Sequence, residues 1–349
     1  MSPKGIRYGQ VEGKGRALAY ITEVPVKKSI LIVLLSAFLT LPSCAPAREE
    51  DRLTVVCTTY PIYLFTSFLT QGVEGVEVER LDTGSTSCLH DYSLSMEDMK
   101  ELERADVIAI NGAGLEEFLE DALATSDAQV IDCSVGVELL EDLSHHHDED
   151  GEDGHDHGHW DPHYWMDPDN ARIMVGNLRD LLVLTDPDHA AVYEKNADRS
   201  DMALRVYQEE IMQDVWDGYS SQLEERPRLI TFHDGFQYFA RALDIELLAS
   251  IEEEAGSEAS AHEIVEITEL VKEYNIPVIF TEVNGSDATA QAISRETGCQ
   301  VAQLSMLMDG PEPEAVDLEL GRLCNYFNYG NNVVTVIDSF AGRRVVPLG

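Results

Sequence analysis

Basic residues are scarce in this sequence: 24 Lys and Arg stand against 65 Asp and Glu, for a formal net charge of −41 at pH 7. A field of that sign repels phosphate backbones, which excludes nucleic-acid binding and favours a cationic partner, although solubility alone also accounts for such a charge. There are six cysteines but no CxxC spacing, so a thiolate zinc site of the finger type is not expected. Long hydrophobic runs are missing too. The longest, residues 29–41, falls short of the roughly 20 residues that span a bilayer, so no permanent transmembrane helix is expected. No HExxH helix, GxSxG elbow or kinase-type glycine loop occurs, which removes the common signatures of metalloprotease, serine hydrolase and phosphotransferase chemistry. What is present is ample apolar material, 44% of 349 residues, enough for one large or two ordinary domains.

The apolar run follows Lys27 and Lys28 and precedes small residues, which is the pattern of a signal peptide. Its end, Leu41-Pro42-Ser43-Cys44, resembles the bacterial lipobox, in which the chain is cut before the cysteine and the thiol, here Cys44, is lipidated. An ordinary signal peptide that happens to contain a cysteine is the alternative. Residues 1–25 lack signal character, and a true start near Val26 would account for them. The expected organisation is a signal segment over 1–43 and a polar, lipidated tether over 44–52. Beyond Cys44 lie cysteines 57, 88, 133, 299 and 324. Outside the cytoplasm these are free to pair, an odd count leaves one over, and Cys299 with Cys324 is the favoured pair.

Along the remaining chain, short Val- and Ile-rich runs alternate with helical segments. Strands are expected over 53–58, 76–81, 107–111 and 129–132, with helices near 62–69, 95–104 and 115–124. The rhythm returns with strands over 229–231, 246–250, 277–281 and 300–304 and a helix over 260–274. Ser95 with Asp98, and Ser260 with Glu263, have capping-box spacing, which makes His262 a surface residue of a first turn. Between the halves, residues 187–222 read as one helix about 54 Å long. The fold class is therefore α/β: two lobes (53–186 and 223–349), each a mostly parallel sheet with flanking helices, joined by one long backbone helix, with the ligand site in the crevice between lobes.

Seven of the eleven histidines fall within residues 141–169, a segment with eleven acidic residues and no Lys or Arg. Its low-complexity part, 144–160, carries His145, His146, His147, His155, His157 and His159. That composition points to weak, multi-site metal capture by a segment disordered without metal. Three other histidines sit in compact motifs at strand ends. They are His90 in Cys88-Leu89-His90-Asp91-Tyr92, His163 in Asp161-Pro162-His163-Tyr164-Trp165-Met166-Asp167-Pro168, and His233 in Thr231-Phe232-His233-Asp234-Gly235-Phe236. Together they suggest a three-imidazole site facing one crevice.

These motifs, with Thr58-Thr59-Tyr60-Pro61 and Ile279-Phe280-Thr281-Glu282, resemble the zinc-binding solute-binding lipoproteins of ABC-type metal uptake systems, over essentially the whole chain after Cys44. An acidic, histidine-rich insertion before the DPH motif is a further likeness. The resemblance implies two lobes bridged by a rigid helix, His90, His163 and His233 as metal ligands, Zn2+ as the bound ion, and an ABC permease with its ATPase as partners. It further implies an extracytoplasmic, lipid-anchored or periplasmic location and a monomer that is not an enzyme. Manganese and iron members carry a carboxylate where His233 stands, and a third imidazole favours borderline-soft zinc. They also supply an aspartate where this sequence has Ser305, a poor zinc ligand. The fourth position is thus open to Glu282, Asp309, water or a tract histidine, with water favoured and Glu282 nearby. Asp161, Asp167 and Asp234 are placed in sequence to accept the free ring N–H of a metal-bound histidine. Trp160, Tyr164, Trp165 and Phe236 are expected to shield the site and pack the lobes.

Zn2+ capture and delivery for import is the function this implies, with affinity falling below neutral pH as imidazoles protonate near their ordinary pKa of about 6.5. The rivals are a Mn2+ or Fe2+ receptor, an adhesin or metal buffer on the same fold, and a zinc hydrolase. The last would need Glu282 as general base beside a zinc-bound water.

Overall fold

Valine and isoleucine runs, each followed by a helix, build two separate parallel sheets in the computed structural model, which describes residues 52–81, 92–143, 159–223, 226–250, 260–283, 285–313, 326 and 330–342. The first sheet comprises β1 (Leu53–Cys57), β2 (Val76–Arg80), β3 (Val107–Ile110) and β4 (Gln129–Asp132), in the order β2-β1-β3-β4. The second comprises β5 (Arg228–Thr231), β6 (Glu246–Ser250), β7 (Val278–Glu282) and β8 (Gln300–Leu304), in the order β6-β5-β7-β8. Every pairing is parallel.

Parallel strands need crossovers, and these place helices on both faces of each sheet. Alternation along the strands then decides which layer each side chain enters. In the first lobe, Val55, Cys57, Val107 and Ala109 point into a core shared with α1 (Tyr60–Leu69). Val56 and Ile108 point the other way, toward Leu102 of α2 (Met96–Arg104) and Leu119. In the second lobe Leu229, Val278, Phe280 and Leu304 join that same shared core. Ile230 and Ile279 pack instead on α8 (Ala261–Glu273) and α9 (Ala288–Thr297). One apolar core therefore runs through both lobes, with a smaller cluster under the outer face of each sheet.

Both expected capping boxes form. The Ser95 hydroxyl accepts from the Asp98 N–H at 3.2 Å while the Asp98 carboxylate accepts from Ser95 N at 2.7 Å; Ser260 and Glu263 do the same at the start of α8. The helix expected near 115–124 forms in shortened shape, starting two residues later and with a 3-10 first turn. A 3-10 turn, Glu117–Leu119, leads into the single-turn α3 (Glu120–Leu123). The cause is local: Gly112, Ala113 and Gly114 all have positive φ, and the Glu116 side chain folds back to accept the Asn111 and Gly112 N–H groups, delaying helix entry.

After α4 (Pro168–Thr185), which is capped by Asp167, the segment expected as one helix over 187–222 is helical without a break from Pro187 to Ser220. It changes character on the way. A 3-10 turn (Pro187–His189) passes into α5 (Ala190–Val206), then nine residues of π-helix (Tyr207–Val215), then α6 (Trp216–Ser220). One end is fixed to the first lobe, where Asn196 Nδ2 donates to the carbonyls of Leu69 and Gln71 at 2.9 and 3.0 Å. The other end is fixed to the second lobe, where Trp216 Nε1 donates to the Leu243 carbonyl at 2.6 Å. The second lobe is completed by α7 (Gln237–Ala242), α8 (Ala261–Glu273), α9 (Ala288–Thr297) and α10 (Gly330–Phe340).

Cys299 is a buried free thiol, which corrects the expected pairing with Cys324; it packs among Ile293 and Ala290 beneath the second sheet. Cys57 and Cys133 are likewise free and buried, whereas Cys44, Cys88 and Cys324 lie outside the described residues. No helix among the described residues is long and apolar enough to cross a membrane.

Trp216 is 4% exposed and is the anchor of the helical connection on the second lobe. Trp216→Ala is expected to cost about 3–5 kcal/mol, read as a lowered midpoint in urea denaturation.

Candidate metal centre

In each sheet the strand order reverses once, between β1 and β3 and between β5 and β7, and ligands in open parallel sheets bind beyond the carboxyl ends of the strands at such a point. His233 follows β5 directly and Glu282 ends β7. Thr231 pairs with Phe280, so His233 and Glu282 each stand two residues beyond that pair on neighbouring strands. At the reversal point of the first sheet stand Thr58 and Asn111. Between the sheets runs the segment around His163.

That segment is stitched to both lobes. The Asp161 carboxylate accepts from both the backbone N–H and the ring Nδ1 of His163, at 2.8 and 2.9 Å. Because the carboxylate can only accept, Nδ1 carries the proton and Nε2 is left as the donor atom for an ion. On the first-lobe side, Asn111 Nδ2 donates to the Pro162 carbonyl at 3.0 Å and Tyr164 Oη donates to the Asn111 carbonyl at 2.8 Å. On the second-lobe side, Tyr238 Oη donates to the Asp161 carbonyl at 2.9 Å and Trp165 Nε1 to the Met306 carbonyl at 2.9 Å.

The rings of His163 and His233 stand 5.6 Å apart, nearly perpendicular, 7% and 3% exposed as residues. They meet over Gly235. A Cβ on that glycine would lie 3.2 Å from Cδ2 of each ring and 2.2 Å from Met306 Sδ, so only a residue without a side chain lets the two rings and the sulfur come together here. Glu282 is 5% exposed; its Oε2 is buried with no hydrogen-bond partner, and burial pushes its carboxyl pKa up to about 7. Such a carboxyl is one that a nearby cation would ionise.

The other anticipated residues divide. His90, Cys44 and the tract histidines 145, 146, 147, 155 and 157 lie outside the described residues. His159 is exposed, 3.6 Å from Glu141 and edge-on to Trp160, and His262 is exposed on the first turn of α8, as expected there. Asp309 is ion-paired with Arg80 at 3.1 Å, and the Ser305 hydroxyl accepts from the Leu307 N–H at 3.2 Å, so each is already engaged. Asp167 does not serve a histidine: it caps α4 and pairs with Arg241 at 3.3 Å. Asp234 is buried beside His233. Tyr164, Trp165 and Phe236 are buried, but Trp160 is 40% exposed, held at the surface by its bridge to Glu141, and shields nothing. Among the described residues no three His, Cys, Asp or Glu side chains are gathered tightly enough to hold an ion by themselves. The histidine pair is what they offer.

Glu116 has no counterpart in the sequence reading. Fully buried, it accepts from Thr58 Oγ1 at 2.5 Å, Asn111 N at 2.6 Å and Gly112 N at 3.0 Å, thereby joining the ends of β1 and β3 beneath Asn111. Burial outweighs those bonds and lifts its pKa to about 7. The signal was there in Asn111-Gly112-Ala113-Gly114-Leu115-Glu116: two glycines after a strand mark a chain that turns back on itself. Gly112, at φ +79°, leaves no room for a side chain, since a Cβ would sit 1.9 Å from Asp132 Oδ1.

Two parallel α/β lobes joined by a long helix are the architecture of a two-lobed solute-binding protein. The chain belongs to the family described as zinc-uptake complex component A, periplasmic (ZnuA), whose model matches residues 55–337. It is 30% identical over 290 residues to the zinc-binding lipoprotein AdcA of Streptococcus pneumoniae serotype 4, which covers 80% of this chain but only 55% of that protein. It is 28% identical to the high-affinity zinc uptake system protein ZnuA of Bacillus subtilis, over 85% of this chain and 93% of that one. In structure it is similar to a mutant of the laminin-binding adhesin Lmb of Streptococcus agalactiae, with a TM-score of 0.66 and 25% identity, covering 82% of this chain and 99% of that chain. A ZnuA crystal structure aligns with a TM-score of 0.65 over 84% of this chain and 99% of that chain, at 24% identity, a likeness of fold alone.

Two outcomes follow. Asp161→Ala frees the His163 ring and is expected to weaken metal binding about 10- to 100-fold in a competition titration. Folded Glu116 takes up its proton near pH 7 and an unfolded glutamate near 4.5, so between those values the folded state binds the extra proton and stability falls as pH rises. Glu116→Gln is expected to flatten that decline, measured by urea denaturation of metal-free protein at about pH 5 and about pH 7.5.

Proposed function

We propose that this protein captures Zn2+ outside the cytoplasmic membrane and delivers it to an ABC permease driven by its ATPase. The observation that carries this reading is the buried pair of imidazoles over Gly235, one of them held in a single tautomer by Asp161. Neutral nitrogen donors suit a borderline-soft cation, and no carboxylate occupies the His233 position to favour manganese or iron. His163 and His233 are the ligands supplied by the two sides of the cleft, His90 is the third, and Glu282, ionised by the incoming ion, balances charge beside β7. The protein performs no reaction: it binds, shields and releases. The names carried by its relatives, a zinc-binding lipoprotein and a zinc uptake protein, agree with this substrate and with an anchor at Cys44. A monomer on the outer face of the membrane is the form the reading requires.

The adhesin reading rests on the name of a structural neighbour, the laminin-binding adhesin Lmb. The acidic charge of the whole chain raises the local concentration of cations around the cleft, and the histidine-rich tract over 144–160 extends that effect with imidazoles.

The test is metal titration of metal-free protein lacking residues 144–160, with zinc and manganese in competition, repeated for His233→Ala. One tightly bound zinc that survives the deletion and is lost with His233 is the expected result. Tight binding that disappears with the tract alone, or manganese outcompeting zinc, would sink the interlobe site.

A further inference from the structure

After β8 the chain engages Ser305 in local hydrogen bonds and buries the next residue, Met306. Ser305 is locked to α10: its N–H donates to Asn332 Oδ1 at 2.9 Å and its carbonyl accepts from Asn332 Nδ2 at 2.7 Å, while its hydroxyl is taken up by Leu307. Leu307 has φ +60°, so the chain turns sharply just after Met306. The Met306 carbonyl is itself held by Trp165 Nε1. With both sides fixed, the Met306 side chain, 1% exposed, has one place to go, and its sulfur lies over Gly235.

The point where a Gly235 Cβ would stand is 2.2 Å from Met306 Sδ and 3.2 Å from Cδ2 of both His163 and His233. Cδ2 is bonded to Nε2, so the thioether lies near the edges of the two rings that carry Nε2. We propose that Met306 contributes its sulfur to the ion seated between His163 and His233, as a soft partner to the two imidazoles. This inference rests on the reading of those two histidines as ligands.

The consequence is a bias in metal choice. Thioether sulfur is polarizable and uncharged, so it binds soft cations better than hard ones and adds nothing for manganese or magnesium. The site therefore takes Cd2+ and Zn2+ well and rejects hard divalent ions more strongly than the same imidazoles with water in place of the sulfur would. Glu282 then acts as a charge-balancing neighbour rather than the fourth donor.

The experiment compares the protein with Met306→Leu, which keeps side-chain volume and removes only the sulfur. Affinities for Cd2+, Zn2+ and Mn2+ are measured by competition, and the bound cadmium is observed by 113Cd NMR. The expected result is a fall of about tenfold in the Cd2+ to Zn2+ preference, corresponding to about 1.4 kcal/mol, together with an upfield move of the cadmium resonance as sulfur is lost. Met306→Gln, which offers an amide oxygen instead, is expected to shift the preference the same way and to raise manganese binding. Tight zinc binding that depends on His233, with the preference and the resonance unchanged in both variants, overturns the sulfur ligand and leaves the metal site standing. Absence of His233-dependent binding overturns both.

Discussion

The carboxylate of Asp161 is the fixed point of the cleft. It is buried, it accepts two hydrogen bonds from the same histidine, and the carbonyl of the same residue accepts the hydroxyl of Tyr238 from the opposite lobe. One residue thus sets the tautomer of His163, the direction of its ring and the register between the segment that carries it and the second lobe. The immediate neighbours extend the arrangement: Pro162 and Tyr164 are bonded to Asn111, Trp165 to Met306, and Tyr326 donates to the Trp165 carbonyl at 3.0 Å. The imidazole is therefore held by its surroundings before any ion arrives, which removes an ordering cost that binding would otherwise carry.

The two reversal points use buried carboxylates differently. Glu116 is satisfied by three donors and serves the frame, pinning β1 to β3 beneath Asn111. Glu282 has a buried oxygen with no partner. Burial raises both pKa values to about 7, and only at Glu116 do hydrogen-bond donors offset part of that rise.

Much of the fold was legible because its signals are local. β4, β6 and β8 match the expected bounds, and both capping boxes form, since alternation and cap spacing are properties of a few adjacent residues. The helix near 115–124 starts later than expected because Glu116 bonds backward to Asn111 and Gly112, a preference that helix-forming composition does not reveal. The histidine motifs were readable as residue types at strand ends. Met306 was not: a methionine after a strand looks like core, and its relation to Gly235 depends on two loops from different strands meeting. Asp161 and Asp167 looked equivalent in sequence, but only the position two residues before His163 can reach the ring and the peptide N–H together, whereas Asp167 stands where a helix must be capped. Cys299 was given a partner on parity alone, and the core took it instead.

Contacts between the lobes fall into two groups of different strength. Around residues 161–166 they are buried and hydrogen-bonded, and the Trp165 and Tyr326 side chains there are fully enclosed. At the rim they are made by α1 and the chain after β8. Tyr60 donates to the Pro311 carbonyl at 2.8 Å, Tyr63 to Glu312, and Arg80 pairs with a half-exposed Asp309 while lying over the Tyr60 and Tyr63 rings. Breaking a buried set leaves polar groups stranded, whereas exposed ion pairs are worth about 0–1 kcal/mol and water replaces them readily. Gly310, which has the Tyr60 ring too close for any Cβ, lets the two segments approach tightly. The contacts around residues 161–166 and the buried Tyr60 are therefore the costly ones to separate, and the exposed Arg80–Asp309 pair adds little to them.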